Sequence, residues 1–257
     1  MRVRGESGRR DWRAAGNRRG PVAELRSFVR GALIEPVARE HETRAANQAR
    51  RRIVVAVTLV VGTVALGLTL AIEPGHHLFQ WATLGVAAVW LIGALASGPL
   101  HLGRSTRSGR HDGRVVLQGL VLGIVLLALF CAAAPVLARI PLLREPVQEL
   151  LRHGTQGELW VVAVVTAFTG ITEEVFFRGA LYAALPPRHG LPVSALLYAA
   201  STLLTGVPLL TFAALCLGLL TGAQRRVTGG VLGPILTHLV WSLGMLFLLP
   251  PLLSLGG

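Results

Sequence analysis

The sequence predicts an all-α protein: a polytopic membrane helix bundle of about seven transmembrane helices, with its N-terminus in the cytoplasm. Three observations carry that reading. The chain is 52% hydrophobic and only 15% charged, with a mean hydropathy of +0.58, which is too apolar for a soluble domain of this size. Its apolar residues fall in long runs, and a bilayer core about 30 Å thick takes about 20 residues of helix to cross. Its arginines alternate in density from loop to loop, the pattern that orients membrane helices.

Residues 1–52 read as a basic cytoplasmic tail, part helix and part irregular. They hold 14 of the 25 basic residues, all arginine, against six acids. A nucleic-acid-binding arm would interleave aromatics with the charge. Only Trp12 and Phe28 occur here, and the segment leads straight into an apolar run, so no nucleic-acid partner is expected. The segment is also too long and too basic for a signal peptide, and no small-residue cleavage site follows the first apolar run.

Residues 53–158 read as N-terminal membrane helices at 53–72, 78–98 and 115–138, followed by an external stretch, 139–158. That stretch, opening near Pro141, has the pattern of a short amphipathic helix. Residues 159–257 read as a second membrane core with runs at 159–182, 191–205, 208–223 and 230–250. The fifth and sixth runs are short and joined by Gly206-Val207-Pro208, as in a bent or partly re-entrant pair. The last run can extend through Pro250-Pro251-Leu252. With the N-terminus inside, cytoplasmic segments hold 21 arginines and external ones three, Arg139, Arg144 and Arg152. The expected location is the cell membrane, with several passes and the lipid bilayer as a partner. Cys131 and Cys216 both lie inside apolar runs, which points to neither a disulfide nor a metal site.

The fourth run carries "TGITEEVFFRGAL", with Glu173 and Glu174 next to each other and Arg178 close behind. Charge inside a bilayer is costly and signals function unless it is paired. Glu174 and Arg178 share a face as an i,i+4 pair. Glu173 points about 100° away and is left for another task. At 1.5 Å per residue, Glu173 lies about 13 Å from the cytoplasmic end of its helix, His238 about 12 Å into the last run and Thr202 about 16 Å into the fifth. Ser242 follows His238 by one turn on the same face. A carboxylate and an imidazole in one low-dielectric layer can form an acid–base site, with donors for an oxyanion. Each residue also has an ordinary reading. A Glu–Arg pair can glue helices, a membrane histidine can bridge two of them, and Ser or Thr can bond back to its own helix. Their matched depth favours a site.

These residues resemble the CAAX-protease and bacteriocin-processing family of intramembrane endopeptidases, which includes prenyl-protein proteases. "EEVFFRG" is similar to the family's first motif, EExxxR, and the tail "LTGAQRRVTGGVLGPILTHLVWS" to its last, HxxxN. The resemblance covers some 90 residues, ending near residue 250. It implies that Glu173 polarises the attacking water, that Glu174 and Arg178 support it, and that His238 helps to bind the oxyanion. It implies a membrane-bound or lipidated, possibly prenylated, peptide or protein substrate. No cofactor is expected. A divalent metal stays open, although one histidine and two acids make a poor zinc shell.

Two positions depart from the family. Its second motif, FxxxH, reads "YAAST" here, with Tyr198 in the aromatic place and Thr202 in the histidine place. The asparagine of the last motif is Ser242. Losing a general base costs about 10²–10⁴-fold in rate, and losing an oxyanion donor about 10²–10³-fold. His101 and His189 are shallower substitutes. The same residues therefore admit a second reading, a pseudo-protease that binds, scaffolds or confers immunity without cutting. A third, a proton-coupled transporter, lacks the paired broken helices such folds use.

Overall fold

The computed structural model describes residues 25–26, 28–34, 45–103, 113–155 and 158–255. The described residues form helices and no strand. The principal helices are α1 (Ala45–Leu70), α2 (Leu78–Ser97), α3 (Gly113–Leu137), α4 (Pro141–Thr155) and α5 (Leu159–Glu174). After α5 the chain continues as a π-helical segment, Val175–Leu181, and a closing turn, Tyr182–Ala184. Then come α6 (Gly190–Ser201), α7 (Pro208–Thr228) and α8 (Leu232–Leu255). In lipid a backbone must bond within its own segment, so helices are the expected solution for these runs.

Six of these helices are long and apolar enough to cross a membrane. The seventh expected crossing, the fifth run, is not among them. There α6 spans 12 residues, about 18 Å at the α-helical rise. A three-residue 3-10 turn follows, and the chain leaves it through Gly206 at φ 72°, a conformation that glycine adopts without strain. The sixth run is longer than expected. Pro208 opens α7 at a first-turn position where its missing N–H costs nothing. The helix then carries on through Arg225 and Arg226, which the charge pattern alone places in a turn, to Gly229 at φ 72°.

The helix ends are tied together at one end of the bundle by main-chain carbonyls. Helix α1 starts well before its apolar run and uses that extra turn to cap its neighbours. Arg51 donates from Nε to Ser97 O at 3.3 Å and from Nη2 to Pro99 O at 2.9 Å. Gln48 Nε2 donates to Ala183 O at 3.0 Å, and Arg52 Nε to Ala184 O at 3.3 Å. These are the orphan carbonyls at the C-terminal ends of α2 and of the π segment, where cations are favoured. Part of the N-terminal arginine content therefore closes helix ends. The rest of residues 1–44, apart from 25–26 and 28–34, and the arginines of 104–112 lie outside the described residues.

At the same end, Val231 N donates to His101 O at 3.1 Å and Leu232 N to Leu102 O at 3.0 Å. This joins the segment after α2 to the start of α8. At the opposite end, α4 forms as the expected amphipathic helix. Its His153 ring packs tilted against Phe79 at 4.3 Å between centroids, and its Nε2 lies 2.8 Å from Ile72 O.

Helices α1 and α2 approach through small residues. A Cβ at Gly62 would stand 2.3 Å from the Trp90 ring, and one at Gly93 would stand 2.2 Å from Thr58. Membrane helices gain little from excluding water from one another, so close van der Waals approach through small residues holds them. Trp90, 1% exposed, lies on Gly62 and reaches Phe176 at 4.8 Å and Phe177 at 5.1 Å between centroids. Both phenylalanines belong to the EEVFFRG stretch, so this packing fixes the segment that follows the acidic pair. Trp90→Ala should cost about 3–5 kcal/mol, read as a lower melting temperature in detergent. Gly62→Leu should lower it too by displacing the ring, and an unchanged melting temperature in both variants would refute this packing role.

Candidate active site

The acidic pair ends α5, and the π-helical segment begins at the next residue. π-Segments inside helices often mark functional sites. This one does not break the expected pairing: Arg178 Nη1 donates to Glu174 Oε1 at 3.0 Å, and both side chains are 0% exposed. The guanidinium also lies 4.6 Å from the Tyr198 ring centroid and 5.9 Å from that of Phe177. Ring faces attract a desolvated cation, which helps to hold a charge whose Nε and Nη2 have no hydrogen-bond partner among the described residues.

The carbonyl of Arg178 is held as well. Arg225 Nε donates to it at 2.7 Å, with the Arg225 guanidinium 5.4 Å from the Tyr182 ring centroid. Arg225 is buried. Charge counting along the loops makes it a topology-setting residue; the structure makes it a clamp between α7 and the π segment. The one sequence signal for this is its position in the last helical turn, where a cation complements the dipole.

His238 comes from α8 and meets both glutamates. Its Nδ1 lies 2.9 Å from Glu174 Oε1, and its Nε2 lies 4.0 Å from Glu173 Oε2. Glu174 is bound to arginine and accepts, so the network assigns the Nδ1 proton to the bond with Glu174. That leaves Nε2 facing Glu173 across a gap too long for a direct hydrogen bond and suited to a bridging water. The imidazole is seated against Gly170, one turn before the pair. A Cβ there would come within 3.3 Å of His238 Cδ2. Gly170 is not among the residues that the sequence singles out.

Glu173 differs from its neighbour in access. Its side chain keeps 13% of its surface exposed, against 0% for Glu174. Helical spacing leaves Glu173 without a partner, and here the structure differs. Tyr198, from α6, donates its hydroxyl to Glu173 Oε2 at 2.6 Å. In the sequence Tyr198 reads only as an aromatic place-holder. The missed signal is the hydroxyl itself, since a phenol among apolar side chains needs a polar partner.

The two positions that depart from the family pattern are placed differently. Thr202 points its hydroxyl back to Ala199 O at 2.7 Å and toward Thr211 Oγ1 at 3.0 Å, the ordinary behaviour of a helical threonine. Ser242 has a buried hydroxyl with no partner among the described residues. Of the substitutes, His189 is exposed at the start of α6, and the His101 carbonyl is used in the pairing with α8. Among the described residues, no three His, Cys, Asp or Glu side chains gather as a metal shell. Glu174 is already shared between arginine and imidazole, so the donor set at the pair fits a metal poorly.

Residues 155–244 match the family model described as type II CAAX prenyl endopeptidase Rce1-like. This segment belongs to the CAAX-protease family. The match spans α5 to α8, the helices that supply Glu173, Glu174, Arg178, Tyr198 and His238. Neither the curated proteins nor the solved structures gave a match. The family is one of proteases, and six helices of the chain are long and apolar enough to cross a membrane.

Arg178→Leu would leave Glu174 buried without its cation and should destabilise the protein by about 3–5 kcal/mol. The measurement is thermal unfolding in detergent, and wild-type stability would show that the pair is not structural. Gly170→Val should push the imidazole away from Glu174 while the helices stay formed. The ¹⁵N resonances of His238 report that directly, and unmoved resonances would refute the seat.

Proposed function

We propose that this CAAX-protease-family chain is an intramembrane endopeptidase that cleaves a membrane-bound or prenylated peptide near the cytoplasmic face. The N-terminus lies in the cytoplasm in this reading, because the arginine-rich segments then share that side. The observation that carries the proposal is the contrast within the acidic pair. Glu174 is sealed and committed to Arg178 and His238, while Glu173 keeps 13% of its side-chain surface exposed and faces the other nitrogen of the same imidazole.

In this mechanism a water sits between Glu173 and His238 Nε2. Glu173 removes its proton as the water oxygen attacks the scissile carbonyl. The negative charge that develops on the carbonyl oxygen is met by the His238 ring, which Glu174 holds in place through Nδ1. Ser242, one turn further along α8, supplies its unpartnered hydroxyl as a second donor. The proton on Glu173 then passes to the leaving amine as the C–N bond breaks. Arg178 acts at one remove by keeping Glu174 charged and in place. No covalent acyl-enzyme and no metal enter this scheme.

The orientation of Thr202 favours a second reading, because its hydroxyl is spent on Ala199 and Thr211 and α6 offers no base. In that reading the same fold binds a lipidated peptide or a partner membrane protein and does not cut. A quenched fluorescent prenylated CaaX-type peptide, offered to wild type, Glu173→Gln and Thr202→His in nanodiscs, separates the two. Cleavage by wild type that falls about 10²–10⁴-fold in Glu173→Gln is the expected result. A fully active Glu173→Gln would sink the mechanism. A silent wild type beside an active Thr202→His would establish the binding role.

A further inference from the structure

Among the described residues, helix α6 makes one short side-chain contact to the acidic pair, and it comes from a residue that the proposed mechanism does not use. Tyr198 donates to Glu173 Oε2 at 2.6 Å, a length typical of a strong bond to a carboxylate. The phenol is held in turn. Its ring lies 4.6 Å from the Arg178 guanidinium and 4.6 Å, centroid to centroid, from Phe177. The residue is 6% exposed. One turn later on the same helix, Thr202 is turned away to Ala199 and Thr211.

A glutamate side chain has three rotatable bonds, and a general base works only when its lone pair is aimed. The two atoms that face Glu173 Oε2 are Tyr198 Oη, at hydrogen-bond distance, and His238 Nε2, at 4.0 Å. The phenol therefore fixes the carboxylate oxygen that faces the imidazole across the gap. It does so from the helix on which the family pattern places a histidine and this chain does not.

We propose that Tyr198 is the positioning residue that α6 contributes to the site. Its hydroxyl holds Glu173 Oε2, the oxygen that faces His238 Nε2, and so aims the carboxylate at the water to be deprotonated. The inference rests on the protease reading above and adds a residue to it. The phenol exchanges no proton with the substrate. It orients the base through one hydrogen bond, and its ring carries part of the Arg178 charge.

Tyr198→Phe removes that hydroxyl and keeps the ring contacts with Arg178 and Phe177. Steady-state cleavage of the prenylated peptide should show kcat lower by about 10²-fold, the cost of a misplaced catalytic group, with KM unchanged. A second readout needs no turnover. In isotope-edited infrared spectra with labelled glutamate, the band lost in Glu173→Gln identifies the Glu173 carboxyl, and that band should move in Tyr198→Phe. A wild-type kcat, an unmoved Glu173 band, or a loss that falls on KM and leaves kcat alone would each overturn the positioning role. A fully active Glu173→Gln sinks the protease reading and this inference with it. An inactive Glu173→Gln beside a fully active Tyr198→Phe sinks the inference alone.

Discussion

The arrangement of the site depends on one fully buried carboxylate. Glu174 Oε1 is shared by Arg178 on the following π turn and by His238 on α8. A buried charge is tolerated only when its partners satisfy it closely, and that requirement determines the positions of both neighbours. It anchors the imidazole by Nδ1 and so directs Nε2 toward Glu173. It holds the guanidinium where the Tyr198 ring can cover it. The bundle packing serves the same end: Trp90 closes over Phe176 and Phe177, and Arg225 pins the Arg178 carbonyl.

This gives two adjacent glutamates different chemistry without any difference in residue type. Side chains at consecutive helical positions point about 100° apart. One of the pair turns into the bundle and becomes structural. The other keeps 13% of its side-chain surface exposed and meets the Tyr198 hydroxyl and the imidazole. The imidazole between them meets both: Nδ1 lies 2.9 Å from Glu174 Oε1, and Nε2 lies 4.0 Å from Glu173 Oε2.

Much of this is legible along the chain. The membrane helices follow from run length, the Glu174–Arg178 pair from i,i+4 spacing, and the common depth of Glu173 and His238 from the helical rise. Each is a local or one-dimensional property. The α6–α7 region is less legible. A 15-residue apolar run does not say where its helix stops, and the 3-10 turn and the left-handed Gly206 mark that end. Arg225 is misplaced by the loop pattern because its partner is a carbonyl 47 residues away in sequence, and charge counting cannot see such a bond.

The sequence by itself determined the fold class, the family resemblance and the residue types available at the pair, because hydropathy, spacing and motif are written along the chain. Only the tertiary structure decided how those groups are shared. It placed His238 closer to Glu174 than to Glu173, turned Thr202 away, and brought the Tyr198 hydroxyl to Glu173. Those outcomes depend on which faces of α5, α6 and α8 meet. That is set by small contacts such as Gly170 under the imidazole, where the absence of one methyl group lets two helices come close enough for their side chains to bond.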